Sequence, residues 1–243
     1  MPVKIVETAE FDLRKPTLVE GFPGVGLVGT IAASYIVEKL QMQMCGYITS
    51  EKFPPIAAVH NKMPLHPARI YKSKKENLLV LFSEFIIPLH SIQELSEKIL
   101  SWCIERNVKQ IISLGGIVVQ GQQDVVFGIA STPELVKQLE EAGIKTIKEG
   151  ATTGVSGVLL ADCYSKGFPA ISLLAESKPE FLDPMAAASV IEALKKIIPL
   201  RVSTDDLIAE AANIEGRMKE LMYKARDAHN NYKKVEEIGP MYG

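Results

Sequence analysis

An α/β body, its mostly parallel sheet flanked by helices in three layers, is predicted by two features of the sequence and one of its composition. Over residues 1–202, short apolar runs alternate with longer stretches whose apolar residues recur at helical spacing. Glycine and proline punctuate the junctions, most densely in Gly21-Phe-Pro-Gly-Val-Gly-Leu-Val-Gly29. The 243 residues are 47% hydrophobic and 23% charged, a globular mix that can bury a core without disulfides.

The elements follow in order. Thr17–Gly21 reads as a buried strand, and Leu27, Ile31 and Tyr35 with Val28, Ala32, Ile36 and Leu40 then keep helical spacing. Gly46–Ser50 and Ile56–His60 read as strands, because Pro54-Pro55 forbids a helix between them. Arg69–Lys72 and Leu78–Ser83 flank Lys74-Lys75-Glu76-Asn77, a hairpin pattern. A helix over Ser91–Arg106 leads to the strand Gln110–Leu114, which Gly115-Gly116 should end. Val125–Ala130 is a strand, and Thr132 caps a helix over Pro133–Ala142. A helix over Ser156–Ser165, a strand over Ala170–Ala175 and a helix over Pro184–Ile198 complete the body. A second unit, residues 203–243, begins at the cap Ser203-Thr204-Asp205-Asp206.

Charge narrows the function classes. Lys plus Arg total 27 and Asp plus Glu 29, so no basic field exists to hold a polyphosphate backbone, and nucleic acid is a poor partner. The longest apolar runs, such as Leu78–Phe82, are too short to span a bilayer, and the N-terminus lacks signal-peptide anatomy. Cys45, Cys103 and Cys163 are widely spread, which argues against a disulfide framework and against zinc. A cytoplasmic protein without membrane contact is the expectation.

Gly24-Val-Gly26-Leu-Val-Gly29, between a strand and a helix, fits the dinucleotide fingerprint, and Glu51 stands near where a ribose-binding acid belongs. The same glycines, with Gly21, serve equally as an architectural turn that lets strand and helix pack closely. Ser156 is not in a nucleophile elbow, because Val158 occupies the second glycine's place. His60, His66, His90 and His229 show neither catalytic pairing nor metal spacing. No catalytic, metal or cofactor site is therefore assigned.

The C-terminal unit carries more information. Leu207, Ala211, Ile214, Met218, Leu221 and Ala225 begin a run of alternating four- and three-residue steps, which predicts a long helix with a seam for partner helices. Gly239-Pro240 ends it, leaving Met241-Tyr242-Gly243 as a short mobile tail. A tyrosine ring can fill a pocket while a terminal carboxylate pairs with a lysine, so this tail suits docking.

Taken together, Glu20–Gly29, Phe53-Pro-Pro-Ile56, Leu114-Gly-Gly116, Thr153-Gly-Val-Ser-Gly157 and the tail resemble the proteasome assembly chaperone family, in its archaeal homo-oligomeric form. The resemblance implies a nucleoside-phosphorylase-like fold, no enzymatic activity, no cofactor and an architectural glycine turn. It also implies that Met241, Tyr242 and Gly243 insert between α subunits of the proteasome core particle, assisting assembly or activating it without ATP. No Walker A sequence is present. A homo-oligomer would present several tails at once, with room for a second protein in the same assembly. Two alternatives stay open: a self-assembling scaffold whose tail is masked, and a nucleotide-binding enzyme using the Gly24–Gly29 turn.

Overall fold

The computed structural model describes residues 2–10, 12–118, 125–177 and 182–207, with isolated helical positions at 209, 220, 223, 224 and 227. The chain enters along β1 (Lys4–Glu7), then β2 (Thr17–Gly21), and turns into α1 (Val28–Lys39). β3 (Gln43–Thr49), the small hairpin β4 (Ala58–His60) and β5 (Met63–Leu65), and the larger hairpin β6 (Ala68–Ser73) and β7 (Leu78–Ser83) follow. Next come α2 (Ile92–Glu105), β8 (Gln110–Ile117), β9 (Val126–Ala130), α3 (Pro133–Glu141) and β10 (Lys145–Thr146). The body closes with α4 (Gly154–Ser165), β11 (Ala170–Glu176) and α5 (Pro184–Ile197).

Among the described residues, nine strands form one sheet in the order β1-β3-β6-β7-β2-β8-β11-β9-β10. Its centre, β7-β2-β8-β11, is parallel, as the alternation of strands and helices predicts. The flanks β1-β3-β6-β7 and the β11-β9 pair are antiparallel. Strand alternation divides the core in two. Val19, Ile112 and Leu173 point to the layer of α1, α3 and α5, while Leu18, Ile111 and Ala170 point to α2 and α4. The result is a three-layer α/β fold with nearly continuous apolar central strands, as sheets buried on both faces require.

Caps and glycines explain the boundaries. Thr132 accepts the Leu135 amide at 3.4 Å and Asp183 accepts the Ala186 amide at 2.9 Å, each followed by proline in the first turn. Sequence reasoning ends β8 at Leu114, but the strand runs on through Gly115-Gly116 because both pair with β11. Beyond α5 the chain lies against its own body. Ile198, Leu200, Val202 and Leu207 are buried in the core, and Tyr35 Oη donates to the Ser203 carbonyl at 2.9 Å. Ala211, Ile214, Met218, Leu221 and Ala225, the rest of the expected seam, lie outside the described residues.

Candidate functional site

The C-terminal edge of the parallel strands is built by the glycine turn. After β2, Gly24 precedes a short 3-10 turn over Val25–Leu27 that runs directly into α1. Gly26 has φ +62°, a left-handed conformation that glycine adopts at no steric cost. A Cβ on Gly29 would sit 2.1 Å from the Leu114 carbonyl oxygen, and one on Gly21 2.1 Å from the Gly29 carbonyl oxygen. A Cβ on Gly116 would sit 2.4 Å from the Val25 carbonyl oxygen. Helix α1 thus lies almost backbone to backbone on β2 and β8.

The same contacts occupy the turn. The Asp183 amide donates to the Gly26 carbonyl at 2.9 Å, and Ser177 Oγ donates to Asp183 Oδ2 at 3.0 Å. A Cβ on Gly26 would fall 2.0 Å from Ser177 Oγ. The glycine that would approach a pyrophosphate therefore has its open side filled by a serine and an aspartate. Glu51 follows β3, which β6 and β7 separate from β2 by roughly 14 Å at normal strand spacing. It is not placed as a ribose-binding acid beside the turn. Sequence reasoning overlooked Ser177 and Asp183, although Asp183-Pro184 is itself a helix-start signal.

Beside the turn lies Glu20, fully buried on β2 facing α2 and α4. Its Oε2 accepts the Phe22 amide at 3.3 Å, while Oε1 has no hydrogen-bond partner among the described residues. Burial pushes this carboxyl above the ordinary value, against the opposing pull of the Ser113 and Ser156 hydroxyls and the Phe22 amide. A carboxyl with a raised folded-state pKa contributes stability at low pH and loses it as pH rises through that pKa. Glu20→Gln should therefore gain on wild type as pH rises, by on the order of 1–3 kcal/mol at pH 8, and match it near pH 4. Thermal unfolding across that range would measure the gap; a gap that does not change with pH would show that folding does not raise the Glu20 pKa.

A second polar cluster holds the β4–β5 hairpin. Arg69, 2% exposed, directs Nη1 to Glu84 Oε2 at 2.9 Å and to the His66 carbonyl at 2.9 Å, and Nε to Tyr71 Oη at 2.8 Å. His60 Nε2 lies 2.9 Å from Glu84 Oε1; the carboxylate can only accept, so Nε2 carries the hydrogen. Burial pushes the Glu84 carboxyl up, but hydrogen bonds and charge from His60 and Arg69 outweigh it and hold the carboxyl below its usual value. Around this clamp Val59 and Met63 of the hairpin, and Ile86 and Leu89 of the segment after β7, stand 62–86% exposed.

Met241, Tyr242 and Gly243 lie outside the described residues. Among the described residues no three His, Cys, Asp or Glu side chains group as metal ligands, and no helix is long and apolar enough to cross a membrane. The three cysteines are free and buried.

Comparison with known proteins identifies the lineage. The PAC2 family model matches residues 18–222. The chain belongs to the PAC2 family. An uncharacterized protein from Methanocaldococcus jannaschii is 37% identical over 219 residues, covering 90% of each chain. The crystal structure of Pyrococcus furiosus PbaA, an archaeal homolog of proteasome-assembly chaperone, is 35% identical with a TM-score of 0.83, over 93% of this chain and 100% of PbaA. Pyrococcus furiosus PbaB, an archaeal proteasome activator, is 25% identical with a TM-score of 0.77, over 90% of this chain and 98% of PbaB. These matches bear out both the resemblance carried by the glycine turn and the α/β fold class.

Proposed function

We propose that this chain is a non-enzymatic, homo-oligomeric partner of the proteasome core particle, which it helps assemble or activates without ATP. The carrying observation is similarity along nearly the whole chain to PbaA and PbaB, the one a homolog of proteasome-assembly chaperone and the other a proteasome activator. Met241, Tyr242 and Gly243 supply the contact: the ring fills a pocket between α subunits and the terminal carboxylate pairs with a lysine there. Leu207 is taken up by the chain's own core, and Ala211, Ile214, Met218, Leu221 and Ala225 supply a seam that bundles subunits, so several weak tails act together. The packing of Ser177 and Asp183 over Gly26 supports an architectural role for Gly21, Gly24, Gly26 and Gly29.

The test is binding of the intact chain to purified archaeal core particles, beside a version lacking residues 241–243 and a Tyr242→Ala variant. Truncation should abolish binding, and Tyr242→Ala should weaken it at least about tenfold, the loss expected of a buried aromatic anchor repeated over several tails. Peptide hydrolysis by the complex then separates activation from assembly. Equal binding by all three versions would place the contact elsewhere. Binding by none would leave a self-assembling scaffold with another partner.

A further inference from the structure

At the opposite edge of the sheet, where the parallel strands begin, the chain forms a two-part groove. Its larger part, about 630 Å³, is floored by Thr17, Leu78 and Gln110 at the starts of β2, β7 and β8, and walled by Leu135 of α3 and Ile198-Pro199 after α5. The smaller part, about 350 Å³, is lined by Ile104, Val108 and Phe168. Lys15 and Lys109 line both parts, so the two depressions meet at a pair of cations. Ile104 leaves half its surface (49%) in solvent there.

The polar groups of the floor are already engaged. Gln110 Nε2 donates to Thr17 Oγ1 at 3.4 Å, and Gln138 Nε2 donates to the Ile197 carbonyl at 3.3 Å. Lys15 and Lys109 are exposed and make no ion pair with any described residue. Glu76 and Glu134 line the larger part alone, where they repel an anion and favour its placement at the lysines. A volume within the range of about 300–1,000 Å³ typical of ligand pockets holds a few side chains, not a folded element.

We propose that this groove docks an extended segment of a partner protein, with an internal Asp or Glu side chain held between Lys15 and Lys109 and apolar residues in the depressions on either side. Charge complementarity selects the acid. The depressions on both sides of the lysine pair select an internal residue, because a chain that ended at the lysines would leave one of them empty. The site is separate from the proposed tail contact and does not depend on it.

The probe is a fluorescein-labelled, end-blocked nonapeptide library centred on apolar–apolar–Glu–apolar–apolar, with Gln-centred and Lys-centred counterparts, measured by anisotropy against the full chain with its tail intact. Glu-centred members should bind about tenfold or more tightly than Gln-centred ones and fail to bind when Lys-centred. Lys15→Glu/Lys109→Glu should erase that preference, and Ile104→Ser should weaken binding about threefold. Both lysines are exposed, so an unchanged melting temperature verifies that the double variant folds. Raising the salt concentration should weaken Glu-centred binding selectively. The proposal fails if Glu-centred peptides bind no better than Gln-centred ones, or if the double variant binds them as wild type does. It also fails if peptides ending in a free carboxylate at the central position bind equally well, since the occupant would then be a chain terminus.

Discussion

Gly29→Ala should destabilise the chain by about 3–5 kcal/mol or prevent folding, whereas Gly24→Ala should change stability by no more than about 0.5–1 kcal/mol. The two glycines stand five residues apart in one motif, Gly24 extended before the 3-10 turn and Gly29 inside α1, and what decides between them is what surrounds each. A Cβ on Gly29 would lie 2.1 Å from the Leu114 oxygen and 3.0 Å from its carbon, and these are backbone atoms that no rotamer change can move. Non-bonded carbons pack at about 3.5–4 Å, so α1 would have to withdraw from β8 by about 1 Å or more. Withdrawal would unpack Ile31, Ala32 and Ile36, all fully buried against the sheet. At Gly24 an added Cβ meets nothing within 4 Å, and φ is −155°, extended backbone open to any residue. Gly21→Ala should resemble Gly29→Ala, because its Cβ meets the Gly29 oxygen at 2.1 Å. A phosphate-binding turn would make a different demand, with Gly24 as the tight-turn glycine. Urea unfolding of the three variants decides the matter. Equal losses at Gly24 and Gly29 would remove the packing explanation.

How much of this was legible in the sequence depends on whether the cause is local. Thr17–Gly21, the hairpin around Lys74–Asn77 and the helix after Ser91 carry their own period and caps, and the chain forms them where expected. β1, β5 and β10 escape the reading because two to four residues hold too little pattern, and their partners Gly46–Thr49, Ala58–His60 and Phe127-Gly128 supply the rest. Gly115-Gly116 looks like punctuation but is a strand, since what needs glycine there is the approach of Val25 from another element. Glu20 was visible within the glycine motif, but its complete burial follows from α4 lying over β2 and β8, which no local window shows. Arg69 and Glu84 stand fifteen residues apart. Only the pairing of Ala68 with Ser83 in the β6–β7 hairpin brings them together.

That hairpin sets up the second large effect. Arg69→Met should cost about 3–5 kcal/mol at pH 7, the usual consequence of leaving one member of a buried ion pair alone. The guanidinium contacts Glu84, the His66 carbonyl and Tyr71 Oη, and its carbon lies 5.2 Å from the centre of the Phe82 ring. Methionine can replace the apolar packing but none of the donors. Glu84 would keep the His60 hydrogen bond and lose the guanidinium, so burial would raise its pKa from the depressed wild-type position. In wild type, a depressed pKa contributes stability above the unfolded value near 4.5 and loses it as pH falls through the folded value. In the variant, the raised pKa reverses the sign, and acid relieves the buried charge. The deficit of Arg69→Met should therefore be greatest near neutrality and shrink by pH 4. Adding Glu84→Leu should recover most of it at pH 7, because the isolated charge is then removed as well. Thermal unfolding of the single and double variants at both pH values tests each step, and a deficit that is the same at pH 4 and pH 7 would mean that the loss is one of packing alone. Through His60 the clamp also ties the β4–β5 hairpin to Glu84 just after β7, so the loss at Arg69 falls on the carboxylate that anchors that hairpin.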